Sequence, residues 1–286
     1  MMRIEREMME TIHSFIEKHP DIQCAYLNGS RANPNAPIDI YQDYDLVCVV
    51  DSLIPYLNTS SWLNQLGTVS FIQEPNWHVK GDRSIQWYGW LILFEDHNRI
   101  DLTLETRDHF MSKTKDSMTK VLYDPHHYFD QNIVSSDRDY WISKPSQAIF
   151  HESVNNFWWC LNNVGKGIMR DEMPYALKMF HQECIGALDQ VIEWDLAFQH
   201  TFKLNPGKLG KWFKDFMEPH DYERYLKTYT SAKKDALWEG IDCAMDLMSL
   251  YAKRVAKALD YPYIESEEHA IRSYLSWIKL TKHQHQ

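Results

Sequence analysis

Leu27-Asn28-Gly29-Ser30-Arg31, followed by Gln42-Asp43-Tyr44-Asp45-Leu46-Val47-Cys48-Val49-Val50, reads as a tight polar turn and then two carboxylates at the head of a buried strand. In an extended strand residues i and i+2 point to the same face, so Asp43 and Asp45 project together. Two carboxylates held side by side beside an apolar strand repel each other and resist burial unless a cation lies between them. Mg²⁺ is the simplest such cation, because it takes one or two carboxylates and completes its shell with water and phosphate oxygens. Upstream, Gly29 lets the backbone approach a ligand closely, while Ser30 and Arg31 offer a hydroxyl, amide donors and a guanidinium to phosphate. Gly-Ser-Arg alone is an ordinary turn, and Asp-x-Asp alone is often a solvated strand end. Their order, with an apolar strand on either side, is what points to a metal and phosphate site.

A third carboxylate extends the pattern. Along Arg99-Ile100-Asp101-Leu102-Thr103-Leu104-Glu105 the alternation puts Ile100, Leu102 and Leu104 on one face and Asp101, Thr103 and Glu105 on the other. Asp101 is therefore a strand carboxylate able to converge on the first pair, an arrangement suited to metal-assisted phosphoryl chemistry. Two roles stay open for it, third metal ligand or general base toward an attacking hydroxyl.

These residues resemble the aminoglycoside 6-adenylyltransferases (streptomycin adenylyltransferases) of the nucleotidyltransferase superfamily. The likeness rests on Gly29-Ser30-Arg31-Ala32-Asn33-Pro34-Asn35-Ala36-Pro37, on Gln42-Asp43-Tyr44-Asp45, and on Leu93-Phe94-Glu95-Asp96-His97-Asn98-Arg99-Ile100-Asp101-Leu102-Thr103-Leu104. Weaker echoes at Asp139-Tyr140-Trp141-Ile142, Asn155-Asn156-Phe157-Trp158 and Gly207-Lys208 carry it over most of the chain. The resemblance implies transfer of AMP from Mg²⁺-ATP to an aminoglycoside hydroxyl. Where such enzymes often read Asn-Glu-Phe-Trp, this chain has Asn156 in place of the carboxylate, which bears on the acceptor side and on which acceptor is used.

Composition agrees with a small cationic acceptor. With 40 acidic and 30 basic residues among 286, the formal charge is −10, which disfavours a nucleic-acid partner and favours cationic small molecules. Cys24, Cys48, Cys160, Cys184 and Cys243 are scattered, odd in number and without a Cys-x-x-Cys pair, as buried thiols of a reducing compartment would be. Neither a signal peptide nor a membrane-length apolar run is evident. The expectation is a cytoplasmic protein, monomer or weak dimer, with no membrane partner.

The periodicity divides the chain. Ile4, Met8, Ile12, Phe15 and Ile16 predict a helix ending at Pro20, and strands are expected over Ile22 to Leu27, Leu46 to Val50, Val69 to Gln73 and Gln86 to Phe94. A short helix through Leu66 is expected after Asn58-Thr59-Ser60. Glu95-Asp96-His97-Asn98 joins the last of these strands to the Asp101 strand as a hairpin. After Pro145 the period lengthens to that of helices: one over Ile149 to Ile168, a second over Met173 to Trp194, and a third over Leu237 to Ala258. The fold expected is an α/β (α+β) nucleotidyltransferase domain with a mixed sheet over residues 1–144, followed by an α-helical acceptor-binding domain over 145–286, with ATP and acceptor meeting in the cleft between them.

Further candidates are weaker. Glu183 interrupts an apolar helix, and with Asn156 and Glu95 it is a candidate acceptor ligand; Glu74 and Glu95 are candidate acceptor or metal ligands that read first as solvated turn residues. Lys208 and Lys211, in the Gly-rich turn Asn205-Pro206-Gly207-Lys208-Leu209-Gly210-Lys211, are candidates for the ATP phosphates, although Leu209 excludes a Walker A loop. Trp158, Trp159, Trp194 and Trp212 are read as core before sugar platforms. The histidines, including His126, His127, His283 and His285, show no metal-ligand spacing. Two alternatives stand beside adenylyl transfer to an aminoglycoside: the same chemistry on another acceptor, and a non-catalytic nucleotide-binding protein on the same fold.

Overall fold

The computed structural model describes residues 2–281, so His283 and His285 lie outside the described residues. Contacts within the chain divide it into two compact units between Asp139 and Tyr140. The first begins with α1 (Glu5–Lys18), whose Met8, Ile12, Phe15 and Ile16 fall on one stripe and are buried. Then come β1 (Ile22–Asn28), a 3₁₀ turn at Gly29–Arg31, β2 (Tyr44–Val50), α2 (Ile54–Asn58), β3 (Val69–Gln73), β4 (Trp87–Phe94), β5 (Arg99–Thr106), α3 (Arg107–Ser112) and β6 (Lys120–Tyr123). Where a helix through Leu66 was expected, Pro55 starts α2 earlier, and Ser61–Gln65 forms only a 3₁₀ turn. The short α3 and β6, six and four residues long, have no counterpart in the sequence reading.

The six strands form one mixed sheet in the order β3-β4-β5-β2-β1-β6. β2 and β5 run parallel, and the other paired neighbours are antiparallel. Leu46, Cys48, Val50, Ile100, Leu102 and Leu104 share a core with the buried stripe of α1. Val47 and Val49 face the other way, with Cys24, Tyr26, Phe110 and Phe129. Alternation assigns Asp45 and Asp101 to this second face. Each fully buried aliphatic side chain adds roughly 1.5–3 kcal/mol, so a one-residue slip of β2 would sacrifice a row of them and expose the opposite set. That burial is what fixes where the carboxylates stand. The expected hairpin between β4 and β5 is held by Asp96, which accepts from the backbone and guanidinium of Arg3 and from Asn98. Burial pushes the Asp96 carboxyl up, but those hydrogen bonds outweigh it and hold it well below the usual range.

The second unit is helical: α4 (Gln147–Met169), α5 (Met173–Met179), α6 (Gly186–Gln199), α7 (Phe213–Phe216), α8 (Pro219–Leu226), α9 (Lys234–Leu259) and α10 (Glu265–Thr281). Its core includes Phe157, Leu161, Val164, Phe180, Leu188, Ile192, Ile241 and Met248. The expected second helix is one continuous run with a π-helical turn, Phe180–Ile185, between α5 and α6. Trp158 and Trp194 are buried in the core, as read from their spacing, whereas Trp159 is exposed. Cys24, Cys48, Cys160 and Cys184 are free and buried, and Cys243 is half-buried. Among the described residues no helix is long and apolar enough to cross a membrane.

Candidate active site and acceptor pocket

Parallel pairing of β2 with β5 sets Asp45 directly beside Asp101, and antiparallel pairing of β1 with β2 sets Asn28 on Asp45's other side. Gly29 follows at φ +67°, in the left-handed region that favours glycine. A β-carbon built on it would lie 2.7 Å from the Asp45 carboxyl carbon and closer still to Oδ2. The glycine is therefore required twice, by its backbone and by the carboxylate packed against it.

Asp43 lies one residue before β2 and is half-buried. Burial raises its pKa, Arg99 and Arg31 pull it down, and Asp101 adds to the rise. Arg99, at the start of β5, grips Asp101 with both prongs: Nε to Oδ1 at 2.8 Å and Nη2 to Oδ2 at 2.7 Å. Its Nη1 lies 3.3 Å from Oδ2 of Asp43. The three carboxylates thus occupy one corner of the sheet, two of them bridged by a guanidinium. Among the described residues no three His, Cys, Asp or Glu side chains are gathered at metal-binding spacing. The donor set nevertheless fits a hard divalent cation, being all carboxylate oxygen and already drawing a cationic side chain onto itself.

Arg31, expected to reach phosphate oxygens, faces its own loop. Its guanidinium donates to the backbone carbonyls of Asp43 and Gln42 at 3.1 and 3.0 Å and lies 3.8 Å from the centre of the Tyr44 ring. This clasp fixes the segment that carries Asp43. Ser30, in the 3₁₀ turn, stands beside Gly29 and is half-buried. Glu95 is an exposed turn residue, while Glu74, read as a ligand or a solvated turn, is instead held by Lys80 at 2.7 Å and by the hydroxyl of Tyr88 at 2.8 Å.

The helical unit carries a second acidic feature. An open cavity of about 790 Å³ is lined by Glu152, Glu183, Asp189 and Glu193, with Asn156, Gln182 and Gln190 between them. Among the described residues lining it there is no lysine or arginine. Asn156 on α4 and Glu183 in the π-helical turn, two of the acceptor candidates, therefore face a common space. A π-turn inserts a residue and re-aims its neighbours, and such turns recur at functional sites. Burial pushes Asp189 up to about 6, against a hydrogen bond from the Tyr225 hydroxyl at 2.7 Å. Burial and then the nearby Asp189 push Glu193 up to about 7. Leu209 and Gly210 close one side. Leu209 holds φ +58° while 87% exposed, a conformation that disfavours a bulky side chain. Lys208 and Lys211 are exposed in the same turn, with the Lys211 ammonium 4.7 Å from the Trp212 ring centre.

Glu152, Asp189, Glu193 and Arg99 were not singled out from the sequence. The signals were present in the i, i+4 spacing of Asp189 and Glu193 within an apolar helix, and in the alternation that puts Arg99 on the face of Asp101.

A profile of the streptomycin adenylyltransferase family matches residues 2–278. An aminoglycoside 6-adenylyltransferase of Bacillus subtilis (strain 168) is 30% identical over 272 residues, covering 93% of this chain and 95% of that protein. One of Staphylococcus aureus is 27% identical over 271 residues, covering 93% and 96%. A crystal structure of an aminoglycoside 6-adenyltransferase from Bacillus subtilis aligns over 97% of this chain and 99% of its own, at a TM-score of 0.48 and 26% identity.

Proposed function

Since this chain belongs to the streptomycin adenylyltransferase family, we propose that it transfers AMP from Mg²⁺-ATP to a hydroxyl of an aminoglycoside such as streptomycin, releasing pyrophosphate, in the cytoplasm. The observation that carries this reading is the pairing of Asp45 with Asp101 on adjacent parallel strands, with Gly29 packed against Asp45 and Asp43 beside them. A non-catalytic protein on the same fold would have no use for three carboxylates held at one corner.

Asp43 and Asp45 would hold the metal, which when bound supplies charge neutralisation to the triphosphate and to the oxygens of the displacement. Gly29 and Ser30 face the phosphates through the backbone and hydroxyl of their turn, and Arg31 keeps the Asp43 segment in place. The acceptor hydroxyl oxygen forms a bond to the α-phosphorus as the bond to pyrophosphate breaks. Its proton passes to Asp101, the carboxylate not committed to the ion. The cavity bounded by Glu152, Glu183, Asp189 and Glu193 takes the cationic groups of the acceptor. Four carboxylates without a basic neighbour in the lining suit a ligand with several guanidinium or ammonium groups and repel a nucleotide. The test is pyrophosphate release from Mg²⁺-ATP across a panel of aminoglycosides, with acceptor-free controls. Release that depends on an aminoglycoside is expected; release with none of them above the acceptor-free rate overturns the reading.

A further inference from the structure

Arg99 gives the carboxylate corner a property that the reaction as written does not use. Its guanidinium engages both oxygens of Asp101 and one of Asp43. A bidentate guanidinium takes up two of the roughly four lone-pair sites of a carboxylate and sets a positive charge beside them. A cation drawn to Asp101 and Asp43 therefore meets the repulsion of Arg99 as well as its hold on their oxygens. A metal is held most strongly at this corner once Arg99 lets go.

The side chain is built to do so. Arg99 is the first residue of β5, its side chain is 42% exposed, and it is paired with these two carboxylates. An arginine released beside a bound triphosphate has a matching partner at hand, since the planar fork binds phosphate in the same two-pronged way as carboxylate.

We propose that Arg99 is a triphosphate-binding residue that latches Asp101 and Asp43 in the nucleotide-free enzyme and exchanges them for phosphate oxygens when the nucleotide arrives. The guanidinium keeps an anionic partner throughout, and the metal that arrives with the triphosphate takes over the charge of the released carboxylates. In the empty site the latch offsets the repulsion between Asp43 and Asp101 and keeps a metal ion alone from settling there. Nucleotide and metal then bind with strong mutual reinforcement, because the triphosphate removes the competitor for the metal's ligands. The acidic cavity of the helical unit has no part in this exchange.

This inference rests on the assignment of Asp43 and Asp45 as metal ligands, and the experiment separates the two. Mn²⁺ binding to the nucleotide-free full chain is followed by electron paramagnetic resonance, for the native protein and for Arg99→Gln, Arg99→Lys and Asp45→Asn, with and without inorganic tripolyphosphate. Circular dichroism and thermal melting check each fold. Arg99→Gln is expected to bind Mn²⁺ alone about tenfold more tightly than the native protein and to bind tripolyphosphate more weakly. The enhancement of Mn²⁺ binding by tripolyphosphate should shrink several-fold. Arg99→Lys, which keeps the charge but not the fork, should fall between. Should Arg99→Gln bind Mn²⁺ no more tightly while Asp45→Asn loses it, the latch is overturned and Arg99 is a strand-end ion pair. Mn²⁺ binding indifferent to Asp45→Asn, both with and without tripolyphosphate, overturns the metal assignment, and the exchange with it.

Discussion

The two acidic regions of this protein handle their charge in opposite ways. At the corner of the sheet the carboxylates of Asp43 and Asp101 are met by Arg99, and Arg31 adds to the field on Asp43. In the helical cavity no cation is provided by the lining, and Asp189 and Glu193 are pushed up to about 6 and about 7 instead. Burying a charge is tolerable only if it is paired or neutralised. The first region pairs its charges, and the second leaves two of them able to hold their protons. A region whose charges are already balanced can exchange one cation for another with little net change, as befits an ion and a phosphate. A region left unbalanced gains most from an incoming polycation, which lets its carboxylates ionise. The comparison predicts that substitutions at the corner act on turnover, while those in the cavity act on acceptor affinity.

The largest effect belongs to Asp45. Removing a metal-binding carboxylate withdraws several kcal/mol of transition-state stabilisation, and each 1.36 kcal/mol is tenfold in rate. Asp45→Asn is expected to reduce kcat by about three orders of magnitude or more with the far-ultraviolet circular dichroism unchanged, since an amide of the same shape fits against Gly29. Turnover within a few-fold of the native rate at saturating Mg²⁺ would break the division between the two regions at its first side.

Gly29→Ala comes next. The added methyl would collide with the Asp45 carboxylate from a backbone at φ +67°. The backbone alone costs roughly 1–2 kcal/mol for a non-glycine residue, and displacing a group that must be held to a fraction of an ångström costs rate as well. A loss of about a hundredfold in kcat is expected, with a few degrees off the melting temperature and no change in acceptor affinity measured by calorimetry. A weakened acceptor affinity with normal turnover would contradict the separation.

The third test uses pH on the cavity side. The folded-state values of about 6 for Asp189 and about 7 for Glu193 lie above those of ordinary carboxylates. The folded state therefore binds protons more tightly than the unfolded chain, and the stability these groups contribute is present at acid pH and lost as pH rises through about 6 to 7. Acceptor binding runs the other way, because only the ionised forms attract a cation. Streptomycin, whose guanidinium groups stay charged throughout, should bind about tenfold more tightly at pH 8 than at pH 5.5. Calorimetry in two buffers of different ionisation heat near pH 6.5 should report proton release on binding. For the variant Glu193→Gln the expectation is a higher melting temperature at pH 8 and a flatter pH dependence. Proton uptake in place of release would show that these carboxylates do not meet the acceptor.

Much of this was legible in the sequence because a strand has a strict period. Leu46, Cys48 and Val50 fix one face of β2, so Asp45 can only take the other, and β5 repeats the logic for Asp101. Backbone alternation also places Arg99 beside Asp101, but a guanidinium's choice of partner depends on the register between strands, which no single strand reveals. Arg31 shows the same limit: its motif suggested phosphate, yet carbonyls of Gln42 and Asp43 brought near by the loop claim it. The cavity was harder still. Glu183 drew notice as a polar break in an apolar run, whereas Glu152 and Glu193 were not singled out, and only the fold brings Glu152 of α4 and Glu193 of α6 to one cavity. The π-turn that turns Glu183 toward them leaves no pattern in periodicity, because a single inserted residue only shifts its phase.

The smallest expected effect is the one that speaks most directly to which acceptor is used. Asn156 lies on α4, exposed at the cavity, and its side-chain oxygen accepts from the Cys160 thiol at 3.4 Å. Asn156→Glu adds a fifth carboxylate to the lining without changing side-chain volume much. It also sets a like charge one turn from Glu152, and like charges at i and i+4 destabilise a helix by roughly 0.2–0.5 kcal/mol. The free protein should thus melt slightly lower, by about a degree, while streptomycin binds a few-fold more tightly. Because exposed attractions are screened over roughly 8–10 Å at physiological ionic strength, the gain should shrink when salt is raised to about 0.5 M. Turnover at saturating acceptor should be unchanged, since the new charge belongs to the cavity and not to the corner. A lower melting temperature with no gain in affinity at low salt would mean that the acceptor's cationic groups do not reach α4, and would move the acceptor contacts to the α6 side of the cavity, around Asp189 and Glu193.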